Sequence, residues 1–162
     1  DYYQQAEEIY RNLRRTTEAD GLFETAGYFF QKEMQMRRKK MPKYSFKRIF
    51  SKIVDFSCGY GERPLRIIFL SILIILFFSF LFFVSGIQYE DKLQIFSQLN
   101  SVEENFYIFA NSLYFSVVTF TTLGYGDILP IGFTKVIAAT EALLGGFILA
   151  IFVIVFVKKM TR

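Results

Sequence analysis

The chain is predicted to be an all-α membrane protein with two transmembrane helices, and three observations carry that prediction. Ile67 to Ile87 contains no charged residue, and Val136 to Val157 is interrupted only by Glu141. Each run is long enough to cross about 30 Å of hydrocarbon as a helix. Between them lies Thr121-Thr122-Leu123-Gly124-Tyr125-Gly126-Asp127, too rich in glycine and threonine to continue either helix. The 162 residues are 52% hydrophobic and 19% aromatic, with 21 Phe and no Trp, and the apolar ones are too clustered for a modest soluble domain.

Residues 1–41 are expected to form a cytoplasmic helical hairpin. Ala6, Ile9, Tyr10 and Leu13 recur at three- and four-residue spacing, Asp20-Gly21 breaks the pattern, and Leu22, Ala26, Phe29, Phe30 and Met34 resume it on the inner face of a second helix. One hairpin buries its own face poorly, so it serves either as a structural collar or as a docking site for a partner. In residues 42–62, Phe46, Ile49, Phe50 and Ile53 form one stripe while Lys47, Arg48, Ser51 and Lys52 face away. That is the pattern of a basic helix lying in the membrane interface, where anionic lipids would be its partners. The competing expectation is that the stripe packs on the hairpin. Gly59-Tyr60-Gly61-Glu62 reads as a flexible elbow leading into the first span.

Residues 63–162 are read as the membrane domain: an outer helix over 67–87, a short re-entrant helix over 105–120, the glycine-threonine run over 121–127 and an inner helix over 136–157. Phe106, Phe109, Leu113, Val117 and Phe120 give the short helix its apolar spacing, with Asn105 as the expected cap. Ile128, Leu129 and Pro130 return the chain outward. Glu141 is the one acid inside a span; a carboxyl there is costly unless neutralised or hydrogen-bonded, so a protonated brace held by Ser116 or Thr119 is expected.

The run from Thr121 to Asp127 resembles the selectivity filter of potassium channels, and from about Arg63 onward the chain is similar to a prokaryotic two-span potassium channel. The resemblance implies a homotetrameric pore in which the carbonyls of Thr122, Leu123, Gly124 and Tyr125, with the Thr122 hydroxyl, bind K+ as the permeant ion. Carbonyls pointed at one axis replace the ion's water shell, and Gly124 and Gly126 allow the positive φ this demands. Thr121, Gly126, Asp127, Phe115 and Glu141 are the expected filter supports. Gly145 and Gly146 fall where related channels place a gating hinge, although close helix packing explains small residues equally. Phe147, Ala150 and Ile154 share a helical face expected to line the cavity or gate. Upstream, A-E-E-I-Y-R-N-L-R-R and G-Y-G-E-R-P-L-R resemble bacterial channels that carry pentapeptide repeats, although the repeats are absent. Two departures stand out: Leu123 replaces the commoner valine, and Tyr114 and Phe115 occupy positions where many potassium channels place bracing tryptophans. Phe115 has no hydrogen to donate, so Asp127 and Tyr125 need other partners.

Topology follows from charge. Ten basic residues lie between Arg37 and Arg66 against Asp55 and Glu62 alone, and Lys158, Lys159 and Arg162 close the chain, so both ends are expected in the cytoplasm of a multi-pass cell-membrane protein. The loop from Gln88 to Glu104 carries Glu90, Asp91, Glu103 and Glu104 against Lys92, either a cation-attracting mouth or a solvated turret. The chain opens at Asp1 without methionine and stops just after the second span, which suggests a piece of a longer protein. With one cysteine and no histidine, disulfides within the chain and histidine-based catalytic or metal sites are excluded; no enzyme, cofactor or nucleic-acid partner is expected. The function classes weighed are therefore a potassium-selective channel, a weakly selective cation channel, and a membrane-anchored adaptor with a vestigial pore.

Overall fold

The computed structural model describes residues 2–90 and 92–161; Asp91 of the outer loop and the terminal Arg162 lie outside the described residues. The chain divides into two compact units, residues 1–68 together with 152–162, and residues 69–151.

In the first unit, α1 (Tyr2–Ala19) and α2 (Phe23–Lys40) form the hairpin, turning at Gly21 with φ 73°. The expected apolar interface is only partly realised. Ala26 is buried, but Ile9, Leu13 and Leu22 are exposed and Phe29, Phe30 and Met34 only half-buried. Charge holds the helices instead: Arg11 bridges Glu7 at 2.7 Å and Glu33 at 3.0 Å, and Lys40 reaches Glu7 at 3.1 Å. Both acids are almost fully buried, and each keeps two basic partners, Glu33 pairing with Arg14 at 3.4 Å as well as with Arg11, so the burial of their charge is compensated. α2 stops before Pro42, with Met41 extended as the residue ahead of a proline prefers.

The third helix, α3 (Phe46–Cys58), ends on Gly59 in the left-handed region. Its stripe does not pack on the hairpin: Phe46, Ile49, Phe50 and Ile53 are all more than half exposed. α3 meets the hairpin through Asp55, which accepts from Arg38 at 2.8 Å and from Gln31 at 3.1 Å.

Among the described residues, α4 (Pro64–Ser85) and α6 (Thr134–Met160) are the two helices long and apolar enough to cross a membrane. Both overrun the expected 67–87 and 136–157 at one or both ends. In the second unit, three short strands were not anticipated: β1 (Ile87–Tyr89) lies between β2 (Lys92–Gln94) and β3 (Ile128–Pro130), antiparallel to both. Three residues are too few for an alternating pattern to register. The sheet ties the return segment after the filter-like run to the end of the outer helix, and Thr134 Oγ1 adds a 3.1 Å bond to the Gly86 carbonyl. Phe78, Phe82, Ile87, Phe115, Ile128 and Ala138 form the core beneath it.

The re-entrant helix, α5 (Val102–Phe120), starts three residues earlier than expected. Ser101, not Asn105, caps it: Ser101 Oγ accepts from the Glu104 backbone while Glu104 bonds the Ser101 N–H. Asn105 instead donates to the Ser97 carbonyl at 3.0 Å. The buried residues are Ile108, Ser112, Phe115, Ser116, Val118 and Phe120; of the expected stripe Phe120 is buried, Phe109 and Leu113 are half-buried, and Phe106 and Val117 are exposed.

Candidate functional site

The candidate pathway is built on the C-terminus of α5. Thr121 Oγ1 donates to the Val117 carbonyl at 2.7 Å, and the backbone N–H groups of Thr122 and Leu123 return to the Thr119 and Val118 carbonyls, each at 3.0 Å. These bonds anchor the start of the run. Beyond it, φ is positive at Thr122 (57°), Gly124 (59°) and Gly126 (80°) and at no other residue from 121 to 127. Positive φ at every second residue is the kind of alternation that aiming successive carbonyls at one side would require. For glycine this is nearly free; for β-branched Thr122 it is an outlier that costs roughly 1–3 kcal/mol and persists only where surroundings impose it. Sequence reasoning identified the two glycines but missed Thr122, because threonine gives no hint of positive φ. Leu123 and Tyr125 are 59% and 67% exposed, so the chain by itself leaves the run open on that side.

The supports lie around the run. The Asp127 carboxylate, acting on the Tyr114 hydroxyl, is the chief cause that raises the Tyr114 pKa above the usual tyrosine value. Tyr114, unlike Phe115, carries a hydroxyl able to donate toward Asp127. Phe115 packs with its ring edge-on to Phe82 at 4.8 Å between centroids. At the same mouth the Tyr89 pKa is raised, first by the charge of Glu90 and to a lesser degree by Asp127. The local field is therefore negative, the sign that concentrates cations.

Behind α5, Ser116 Oγ contacts both the Ile75 carbonyl of α4, at 2.9 Å, and the Glu141 carboxyl of α6. A hydroxyl has one hydrogen, so both contacts are satisfied only when the carboxyl contributes the second. Ser79 Oγ and Glu141 Oε2 are buried with no partner among the described residues. Gly145 sits against Phe120: a Cβ there would collide with the Phe120 carbonyl and lie 2.8 Å from its carbonyl carbon. Close packing accounts for Gly145. Gly146, with nothing within 4 Å of an added Cβ, is free of that demand, and α6 runs through both without a break. Phe147, Ala150 and Ile154 are exposed along one face of α6.

Two spanning helices, a re-entrant helix between them and a strained loop at its end define a two-span ion channel. Residues 69–162, more than half of the chain, match the family described as Ion channel, and the chain belongs to that family. Its members move ions across membranes. The match begins at Phe69, so the upstream resemblance rests on sequence alone. Comparison with curated proteins finds no match, and comparison with solved structures finds none either.

Proposed function

We propose that the chain is one subunit of a homotetrameric potassium channel that conducts K+ passively through carbonyls of Thr122, Leu123, Gly124 and Tyr125. The observation that carries this reading is the alternation of positive φ at Thr122, Gly124 and Gly126 directly after α5. A potassium ion sheds water only if fixed oxygens replace it, and one chain supplies oxygens on one side only. Closed fourfold symmetry completes the ring. The end of α5 aims the partial negative charge of a helix C-terminus toward the inner side of the run, which favours a cation there. Asp127, toward which the Tyr114 hydroxyl can donate, and Glu141, held by Ser116, brace the loop from its outer end and its back. Gly146 serves as the hinge and Phe147, Ala150 and Ile154 line the cavity or gate, with both chain ends cytoplasmic and the α3 stripe on the membrane surface.

The test is the reversal potential of purified protein in planar bilayers, with K+ on one side and Na+ on the other. A value near the potassium equilibrium potential is expected. Clear openings that reverse near zero would instead assign a weakly selective cation channel, the reading favoured by Leu123 in place of valine and by Phe115, which has no donor. Absence of openings, with a cytoplasmic protein retained through the hairpin, would favour the adaptor.

A further inference from the structure

The first unit joins the N-terminal hairpin to the far end of the inner helix through a short chain of charged contacts. Lys158, in the last turn of α6, bridges Glu62 of the elbow at 2.7 Å and lies 5.1 Å over the Phe30 ring of α2. The Glu62 side chain is 10% exposed. Its carboxylate is seated so tightly on α2 that a Cβ at Gly27 would overlap it. Next to it, Lys159 reaches Glu24 of α2 at 3.3 Å.

The elbow itself has little freedom. Gly59, Tyr60 and Gly61 all have positive φ. The Tyr60 hydroxyl is pinned by Ser51 at 2.7 Å and by Arg38 at 3.1 Å. Arg38 in turn grips Asp55. A displacement of α2 therefore reaches Lys158 through Glu62 rather than being absorbed in a loose loop.

We infer that Glu62 and Lys158 form a latch through which the cytoplasmic hairpin controls the position of the inner-helix end, and with it the opening of the pore. The consequence for opening rests on the channel reading above; the coupling of hairpin to helix does not. Three features favour a latch over an ordinary surface ion pair. One partner is nearly buried, the cation is shared with an aromatic face, and a glycine is needed to let the carboxylate approach. Surface pairs lacking such features contribute little. The residue pair also lies far in sequence from the filter-like run, so altering it leaves the ion ligands in place.

The experiment is a double-mutant cycle on the full chain: Glu62→Lys, Lys158→Glu and the combined exchange. Single-channel open probability and thermal unfolding in detergent are both recorded. Each single reversal is expected to change the ratio of open to closed time at least about fivefold, the low end of typical coupling between sites, with reversal potential unchanged. The exchange should restore most of both readouts. The milder Glu62→Gln, which keeps the shape, should shift opening in the same direction by less. Selective conduction with additive effects in both readouts would overturn the latch while leaving the channel reading intact. Loss of selective conduction in the unaltered protein, with coupled unfolding midpoints, would sink the channel reading and retain the contact. A change in reversal potential with the single reversals would also overturn the proposal, since the latch acts on opening alone.

Discussion

Replacing Gly145 with alanine adds one methyl group at the closest approach of α6 to the end of α5. The new Cβ would fall 2.8 Å from the Phe120 carbonyl carbon and 3.0 Å from its Cα, and it would collide with the carbonyl oxygen. All three are backbone atoms, so no side chain can rotate away. Alanine favours a helix over glycine by about 1 kcal/mol, while overpacking costs about 1–3 kcal/mol. Because the obstacle is backbone, the cost falls in the upper part of that range and the net effect is destabilisation by about 1–2 kcal/mol. Gly146→Ala meets nothing within 4 Å and keeps the helix gain alone, so it should stabilise. Thermal unfolding of the two variants side by side in the same detergent tests this: the Gly145→Ala midpoint should fall below that of the parent and the Gly146→Ala midpoint rise above it. Equal midpoints for the two variants would refute the assignment of Gly145 to packing. If Gly146 is also the hinge, Gly146→Ala should shorten openings without moving the reversal potential, a result that single-channel records decide.

Gly124→Ala forces an L-residue to φ near 59°, at roughly 1–2 kcal/mol per subunit, and should abolish selective conduction; a variant that still reverses near the potassium potential would remove the filter assignment. Tyr114→Phe deletes the donor to Asp127 and should make current decline several-fold faster during sustained opening, as recorded in bilayers. The pH dependence has a definite sign: with a tyrosine pKa raised above 10.0, the bracing hydroxyl is intact below pH 10 and is lost as pH climbs through the folded value, so the parent should show an alkaline decline that Tyr114→Phe lacks. Glu141→Gln keeps a hydrogen to donate toward Ser116 and should be nearly neutral in unfolding assays. Ser116→Ala leaves the Ile75 carbonyl and the Glu141 carboxyl short of a buried partner and should cost about 1–3 kcal/mol; equal midpoints for these two variants would argue against the donor count.

Features that follow from a period or from composition were legible in the sequence, whereas those that depend on a single contact were not. Apolar length, broken only by Glu141 in the second run, located both spanning helices, because a helix satisfies its own backbone in hydrocarbon. The hairpin was legible as two helices, but its interface was not: Glu7 and Glu33 look like solvated acids in one dimension, and only the fold brings Arg11 and Lys40 to them. The glycines of the filter-like run announced positive φ, yet the strain at Thr122 is imposed by the bonds that hold the end of α5 and carries no residue signature. Tyr114 beside Phe115 was visible as a departure from the tryptophan pair, but that Asp127 is the group acting on its hydroxyl was not, since a phenol and an indole can both donate one hydrogen toward a carboxylate. Gly145 and Gly146 show the limit most clearly. Adjacent and identical, they cannot be told apart by propensity, and one backbone carbonyl, that of Phe120, gives them opposite predicted responses to the same substitution.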